Sequence, residues 1–163
     1  MQLKKIWFIL LLGWSINGCT TKEYVKQNSA FIVFKTPTIK YADLGFIYEN
    51  EDEIKVEIYG SGQALMTLKI SENLVCMSLL ECMDKKTFNS EVLSEVYPLN
   101  MLDNIFKGKK IYEGKNLTKT RNGFTQNISN SNKYKILYSV LNKEIIFRDT
   151  INDILIKVTR MDS

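Results

Sequence analysis

The alternation of apolar and polar residues is the feature that most constrains the fold of this chain. In the stretch "EIKVEIYG", the apolar side chains of Ile54, Val56 and Ile58 alternate with charged ones. Successive side chains of a β-strand point to opposite faces, so this pattern predicts a strand with one buried face and one wet face. The next stretch, "ALMTLKI", repeats the pattern. We therefore expect a sheet in which both inner rows face the same way.

Similar stretches recur about every ten residues, which is the spacing of an antiparallel meander. They are rich in β-branched and aromatic residues and are separated by polar or glycine-bearing turns. The predicted strands span 30–35, 43–49, 53–60, 64–70, 74–80, 124–129, 133–142, 143–149 and 153–160. The segment 107–123, rich in Lys, Asn and Gly, is interpreted as a loop.

The segment between the two sets of strands has helical spacing. Phe88, Val92 and Val96 lie four residues apart, and Thr87 or Asn89 can cap the start of this helix. Strands, two helices and further strands predict an α+β domain with one strongly curved antiparallel sheet.

A second, shorter helix is predicted after Pro98. Asn100 can serve as its N-cap, and Gly108 ends it. Its apolar stripe includes Leu102 and Phe106, which we expect to face the interior of the sheet and either to line a cavity or to fill it.

The N-terminus has the order of a secretory signal peptide. Lys4 and Lys5 precede an apolar run, 6–14, that is too short to span a bilayer, which needs roughly 20 apolar residues. Residues 1–18 are therefore interpreted as a signal peptide. The remaining 145 of 163 residues are enough for one domain, predicted at 29–163.

The sequence Ile16-Asn17-Gly18-Cys19 resembles a bacterial lipobox, so Cys19 is the predicted site of lipid attachment. Residues 19–28 then form a lipidated tether to the membrane. The alternative is a buried N-terminal segment with an unmodified cysteine. Position 20 is threonine rather than aspartate, which by this resemblance implies the outer membrane, with the protein on the periplasmic side.

Two further cysteines, Cys76 and Cys82, leave two alternatives open. A disulfide requires a turn between them, because on one extended strand they would lie about 20 Å apart. Otherwise they are two buried thiols.

Catalysis, cofactors and metals find little support in the composition. The chain has no histidine, the usual general base and a common metal ligand. The acidic cluster at 49–53 is interpreted as a solvated hairpin turn, and Gly60-Ser61-Gly62 as a tight turn between strands. The basic residues are interleaved with acidic ones, which argues against nucleic-acid binding. We predict that the protein is not an enzyme and binds neither cofactor nor metal.

The stretch "YPLNMLDNIFKG" resembles the outer-membrane lipoprotein receptor family LolB. Pro98, Leu99, Leu102, Phe106 and Gly108 match the pattern of that family. Two flanking blocks, 46–79 and 122–138, resemble its succession of strands and turns. The family also carries a protruding leucine in a glycine turn between two strands; here Tyr59 is the only bulky apolar residue identified near that turn.

The resemblance implies an incomplete antiparallel barrel with helices packed on its concave face and an apolar interior that accepts acyl chains. The implied protein is a lipid-anchored, non-enzymatic carrier or receptor for lipid or lipoprotein acyl chains, with a periplasmic carrier protein as a possible partner. The candidate cavity residues are Phe46, Val56, Ile58, Met66, Leu68, Leu102, Phe106, Tyr138, Phe147 and Ile156. The alternative is a structural or assembly lipoprotein with a solid core that binds another envelope protein.

Overall fold

The computed structural model describes residues 24–78 and 81–161, which form an eleven-stranded antiparallel sheet and two helices. The strands are β1 Lys26–Lys35, β2 Lys40–Glu49, β3 Ile54–Gly60, β4 Gln63–Ile70, β5 Leu74–Met77, β6 Glu81–Asp84, β7 Leu117–Thr120, β8 Gly123–Asn130, β9 Tyr134–Leu141, β10 Glu144–Asp149 and β11 Ile154–Arg160. The helices are α1 Lys85–Val92 and α2 Met101–Lys107. The predicted combination of an antiparallel sheet with two helices between two sets of strands is confirmed.

The strand order is β6-β5-β4-β3-β2-β1-β11-β10-β9-β8-β7. Two meanders therefore meet at the centre, where the first strand pairs with the last: Ala30 lies opposite Arg160 and Lys35 opposite Leu155. Strands β6 and β7 are the two edges, so the sheet is not closed within the part of the chain that is described.

Several predicted strand boundaries are wrong. β1 begins at Lys26 rather than at Ala30, because 26–29 pair with 46–49 of β2 and so extend the sheet into the expected tether. The predicted strand 74–80 ends at Met77, and a second short strand, β6, returns beside it. β7 lies inside the segment that was predicted to be a loop. It has only four residues, three of them polar, so it shows no alternation of apolar and polar side chains.

Helix α1 begins earlier than predicted. Its N-cap is Asp84, not Thr87 or Asn89: the Asp84 carboxylate accepts hydrogen bonds from the Thr87 backbone N–H at 2.9 Å and from its hydroxyl at 2.8 Å. These bonds hold the pKa of Asp84 below its ordinary value. Phe88 is buried as expected, whereas Val96 lies beyond the end of the helix.

Helix α2 matches its prediction closely. Asn100 occupies the N-cap position, although its side chain makes no capping hydrogen bond. Gly108 ends the helix in the left-handed conformation, with φ of 64°, which glycine adopts without steric cost. The predicted apolar residues Leu102 and Phe106 are buried.

The core follows the period-two rows of the sheet. In β3 the buried residues are Ile54, Val56 and Ile58, and their outward neighbours are only partly buried. The other buried rows are Ala30, Ile32 and Phe34; Met66, Leu68 and Ile70; Ile136 and Tyr138; Ile145 and Phe147; and Ile154, Ile156 and Val158. One face of the sheet is therefore apolar along almost its whole width.

Candidate functional site

Nine of the ten predicted cavity residues are buried in one hydrophobic core. They are Val56, Ile58, Met66, Leu68, Leu102, Phe106, Tyr138, Phe147 and Ile156. None of the nine exposes more than 2% of its surface. They come from β3, β4, α2, β9, β10 and β11, so the fold brings together rows that are distant in sequence.

Phe46 is the exception and lies on the opposite face of the sheet. β2 places Gly45 and Ile47 inward, where Gly45 pairs with Ile58. A Cβ at Gly45 would lie 2.0 Å from the backbone oxygen of Glu57, so only glycine fits there. Phe46 therefore points outward, where its ring contacts Tyr59. The prediction for Phe46 is wrong because its strand buries a glycine rather than a large side chain.

Polar contacts join the two helices into one unit. The ammonium of Lys85, at the start of α1, lies 2.8 and 2.9 Å from the carboxylate oxygens of Asp103 in α2. Lys85 is only 8% exposed, so this pair is largely removed from water. The Asn89 amide donates to the carbonyls of Tyr97 and Pro98, and so holds the segment that connects the helices.

Tyr138 of β9 links α2 to the sheet. Its hydroxyl donates to the carbonyl oxygen of Lys109 at 2.9 Å and lies 3.3 Å from that of Asn104. Asn104 lies in the last turn of α2, where its carbonyl also accepts from the backbone N–H of Lys109 at 2.8 Å, and Lys109 follows the C-cap Gly108. Burial raises the pKa of the Tyr138 phenol, which stays protonated and remains a donor.

The connection between the helices is fixed to the opposite half of the sheet by Asp149. Tyr97 donates to its carboxylate at 2.5 Å, and the ring of Tyr97 packs edge-on against Phe147. The same carboxylate accepts from the backbone of Lys135 and from Asn152. Burial favours the neutral acid, but these hydrogen bonds prevail and lower the pKa of Asp149.

A pocket of about 390 Å³ lies beside α2, away from the predicted cavity. Its lining consists of Pro98, Asn100, Asn104, Tyr112, Glu113 and Lys115. Gln126 holds the adjoining loop by exchanging hydrogen bonds with the backbone of Ile111 at 3.0 Å. None of the ten predicted residues lines this pocket, and half of its lining, Tyr112, Glu113 and Lys115, comes from the segment 107–123 that was predicted to be a loop.

Cys76 and Cys82 form a disulfide. They lie directly opposite each other on the neighbouring strands β5 and β6. The alternative of two buried thiols is wrong, since Cys82 lies on an exposed edge strand. The cross-link ties this edge strand to the sheet immediately before α1.

The two turns that flank β3 have the predicted structural roles. In the acidic turn, the side chain of Asn50 accepts hydrogen bonds from the backbone of Asp52 and Glu53. After β3, Ser61 and Gly62 both have positive φ, which is typical of a tight two-residue hairpin.

Leu65 is a bulky apolar residue beside the turn after β3 that was not predicted from the sequence. It is 51% exposed, and its side chain passes close to Gly60. Tyr59 is therefore not the only bulky apolar residue near this turn. The backbone register shifts here, which alternation alone does not reveal.

Other kinds of site receive no support from the described residues. Within 24–78 and 81–161, no three His, Cys, Asp or Glu side chains are grouped so that they could hold a metal ion. No helix in those same ranges is long and apolar enough to cross a membrane. Cys19 and the predicted signal peptide lie outside the described residues.

The sequence matches no known family model. It likewise matches no curated protein sequence.

Proposed function

We propose that this protein is a lipid-anchored, non-enzymatic carrier or receptor that binds an acyl chain of a lipid or lipoprotein between its sheet and α2. Cys19 carries the anchor, in the outer membrane and facing the periplasm. The inner rows that contain Val56, Leu68 and Phe147 form the acyl-binding surface. A periplasmic carrier protein would deliver the ligand.

A strongly curved sheet with both helices on its concave face fits the contacts best. Eleven strands laid flat would span roughly 50 Å, far more than helices of eight and seven residues can cover. α1 contacts β5 and β6 near one edge of the sheet, while α2 contacts β10. Gly108 at the end of α2 also lies beside Val140 and Ile145. The two helices thus reach both halves of the sheet, as they would inside an incomplete barrel.

The observation that carries the proposal is that a wide apolar sheet face is accompanied by one short helix, α2, which contacts β10 in the second half of the sheet. α2 contributes four buried side chains, Met101, Leu102, Ile105 and Phe106. At about 1.5–3 kcal/mol each, their burial is worth roughly 6–12 kcal/mol. An acyl chain of about 16 methylenes buries a comparable amount, at about 0.8 kcal/mol per methylene. An acyl ligand can therefore match the apolar burial that α2 contributes, while the Lys85–Asp103 pair and the Tyr138–Lys109 hydrogen bond have to break when α2 leaves the sheet.

Leu65 supports a role in delivery to the bilayer. It stands half-exposed beside the tight turn between β3 and β4. The family that the sequence resembles places a protruding leucine in such a turn and uses it to transfer lipoprotein to the membrane. On this proposal, Leu65 serves that purpose here.

The second candidate is a structural or assembly lipoprotein with a solid core. The full burial of Val56, Leu68 and Phe106 favours it, because side chains around an open cavity would retain exposed surface. The two candidates differ in whether α2 can leave the sheet.

Photo-crosslinking with a fatty acid that carries a diazirine in mid-chain separates them. The carrier predicts labels on inward residues such as Val56, Leu68 and Phe147, which an excess of unlabelled palmitate removes. The solid core predicts either no specific label or labels confined to outward positions such as Thr67, and that result would contradict the proposal.

A further inference from the structure

The outward face of β1, β2 and β3 carries apolar and aromatic side chains, although the alternation of the sheet should leave it polar. Phe31 and Leu44, directly opposite each other on β1 and β2, are 41% and 49% exposed. Phe46, Tyr48 and Tyr59 lie on the same face and are only partly buried. We call these five residues the outer aromatic face.

Ring contacts join the three rings of Phe46, Tyr48 and Tyr59 and extend this part of the face to Tyr24, at the start of the described chain. The rings of Phe46 and Tyr59 lie 5.9 Å apart, and those of Phe46 and Tyr48 lie 6.1 Å apart. The ring of Tyr24 lies 5.4 Å from that of Tyr48, and the Lys55 ammonium lies 4.1 Å from the Tyr48 ring. Tyrosine rings combined with exposed aliphatic groups are the side chains that favour the headgroup region of a bilayer.

The position of Tyr24 limits how far this face can be from a lipid on Cys19. The Tyr24 hydroxyl donates to Glu53, so Tyr24 is held to the sheet both by this bond and by its ring contact. Only five residue steps separate Cys19 from Tyr24, and they span at most about 18 Å. A domain of this size is roughly 35 Å across. The tether is therefore too short to let the opposite side of the domain face the membrane.

The charges on this face indicate which lipid chemistry it fits. Lys55 is paired with Glu57 at 3.1 Å, and Lys157, opposite Val33 of β1, is paired with Glu144 at 2.7 Å. These two paired lysines have little attraction for anionic lipid, whereas the exposed rings and aliphatic groups beside them gain from contact with acyl chains.

We propose that the outer aromatic face rests on the bilayer that holds the anchor, with Phe31 and Leu44 at the boundary between headgroups and acyl chains. This inference depends on the lipid attachment at Cys19 that forms part of the proposed function. It does not depend on acyl binding inside the sheet. It assigns the orientation of the domain: the outer aromatic face points toward the membrane, and the helices on the other face of the sheet point away from it.

Single-tryptophan probes test this orientation. Trp7 and Trp14, the two tryptophans of the sequence, both precede Cys19, so the cleaved lipoprotein has none. The acylated, signal-cleaved Leu44→Trp variant is purified from bacterial envelopes and reconstituted into vesicles of phosphatidylethanolamine and phosphatidylglycerol with brominated acyl chains. Leu137→Trp is the matched control: Leu137 is 48% exposed and outward-facing, but lies between Asn127 and Arg148.

We expect the bromines to quench Leu44→Trp emission at least about twofold, and to leave Leu137→Trp unquenched, because side chains of an interfacial surface reach roughly 5–10 Å into the bilayer. The same quenching is expected in vesicles without phosphatidylglycerol. Phe31→Trp gives a second probe of the same face and should behave like Leu44→Trp.

Each other outcome overturns the inference in a distinguishable way. Protein that floats with the vesicles but shows no quenching at Leu44→Trp or Phe31→Trp has its anchor and a different orientation. A blue shift without quenching shows that the face contacts protein, such as a second copy of the chain. Quenching only with phosphatidylglycerol shows an electrostatic contact. Protein that does not float with the vesicles lacks the anchor, which refutes the lipid attachment itself, whereas acyl binding by the sheet is then still measurable on its own.

Discussion

Replacing Phe106 by alanine tests whether α2 is exchangeable with an acyl ligand. Phe106 is fully buried between α2 and the sheet, so its truncation leaves a cavity in a packed interior. Such changes cost about 3–5 kcal/mol. We expect urea unfolding of the ligand-free Phe106→Ala protein to show a loss of this size. Leu99→Ala is the matched control: Leu99 is 56% exposed, and its change should stay within about 0.5 kcal/mol.

The ligand then distinguishes a carrier from a solid core. A weakened α2 competes less well for the sheet, so a fluorescent fatty acid should bind Phe106→Ala more tightly than the wild type. At 100 times its dissociation constant, the fatty acid should restore about 2.7 kcal/mol of stability. The reasoning is refuted if the variant loses 3–5 kcal/mol while the fatty acid stabilises neither protein, because Phe106 then belongs to a permanently packed core.

Four further changes have definite expected outcomes. Cys19→Ser should abolish metabolic labelling with a fatty acid and release the protein from outer membranes; retention through a strong wash would contradict the anchor. Met66→Gln should weaken acyl binding while Thr67→Gln, on the opposite face, should not. If the two folded variants bind a fluorescent fatty acid equally well, the inner surface is not the binding site. The pKa of Asp149 is lower in the folded protein than its unfolded value of about 4, so the ionised carboxylate stabilises the fold above pH 4, and this stability is lost as the pH falls through the folded pKa. Asp149→Asn should therefore destabilise the protein at pH 7 and flatten the acid limb of a stability–pH profile, and an unchanged acid limb would contradict this. Cys82→Ser, which opens a short loop, should cost about 2 kcal/mol in urea unfolding, and no loss would show that the disulfide constrains nothing.

Local chemistry was sufficient to predict most of the fold. The row Ile54, Val56 and Ile58 identifies the inner face of β3 directly, because every second residue is strongly apolar and its neighbours are charged. Gly108 after an apolar stripe likewise locates the end of α2 to the residue. These signals arise within one element, so they do not depend on which strands become neighbours.

The errors occur where tertiary contacts decide between local alternatives. Phe46 is larger and more apolar than Gly45, yet the glycine is buried because Glu57 of β3 passes too close for any side chain. Asp84 caps α1 although it ends a strand, since one residue serves both elements. The pocket beside α2 forms where Tyr112 approaches Asn104 of that helix, and such an approach between separate segments leaves no periodic pattern in the sequence.

Native mass spectrometry of the domain from Tyr24 onward, purified without detergent, measures the central claim most directly. A carrier predicts a population with one additional mass equal to a fatty acid or phospholipid, enriched after incubation with palmitate and diminished in Met66→Gln but not in Thr67→Gln. A single unliganded mass in every sample, unchanged by palmitate, would contradict acyl binding by the sheet.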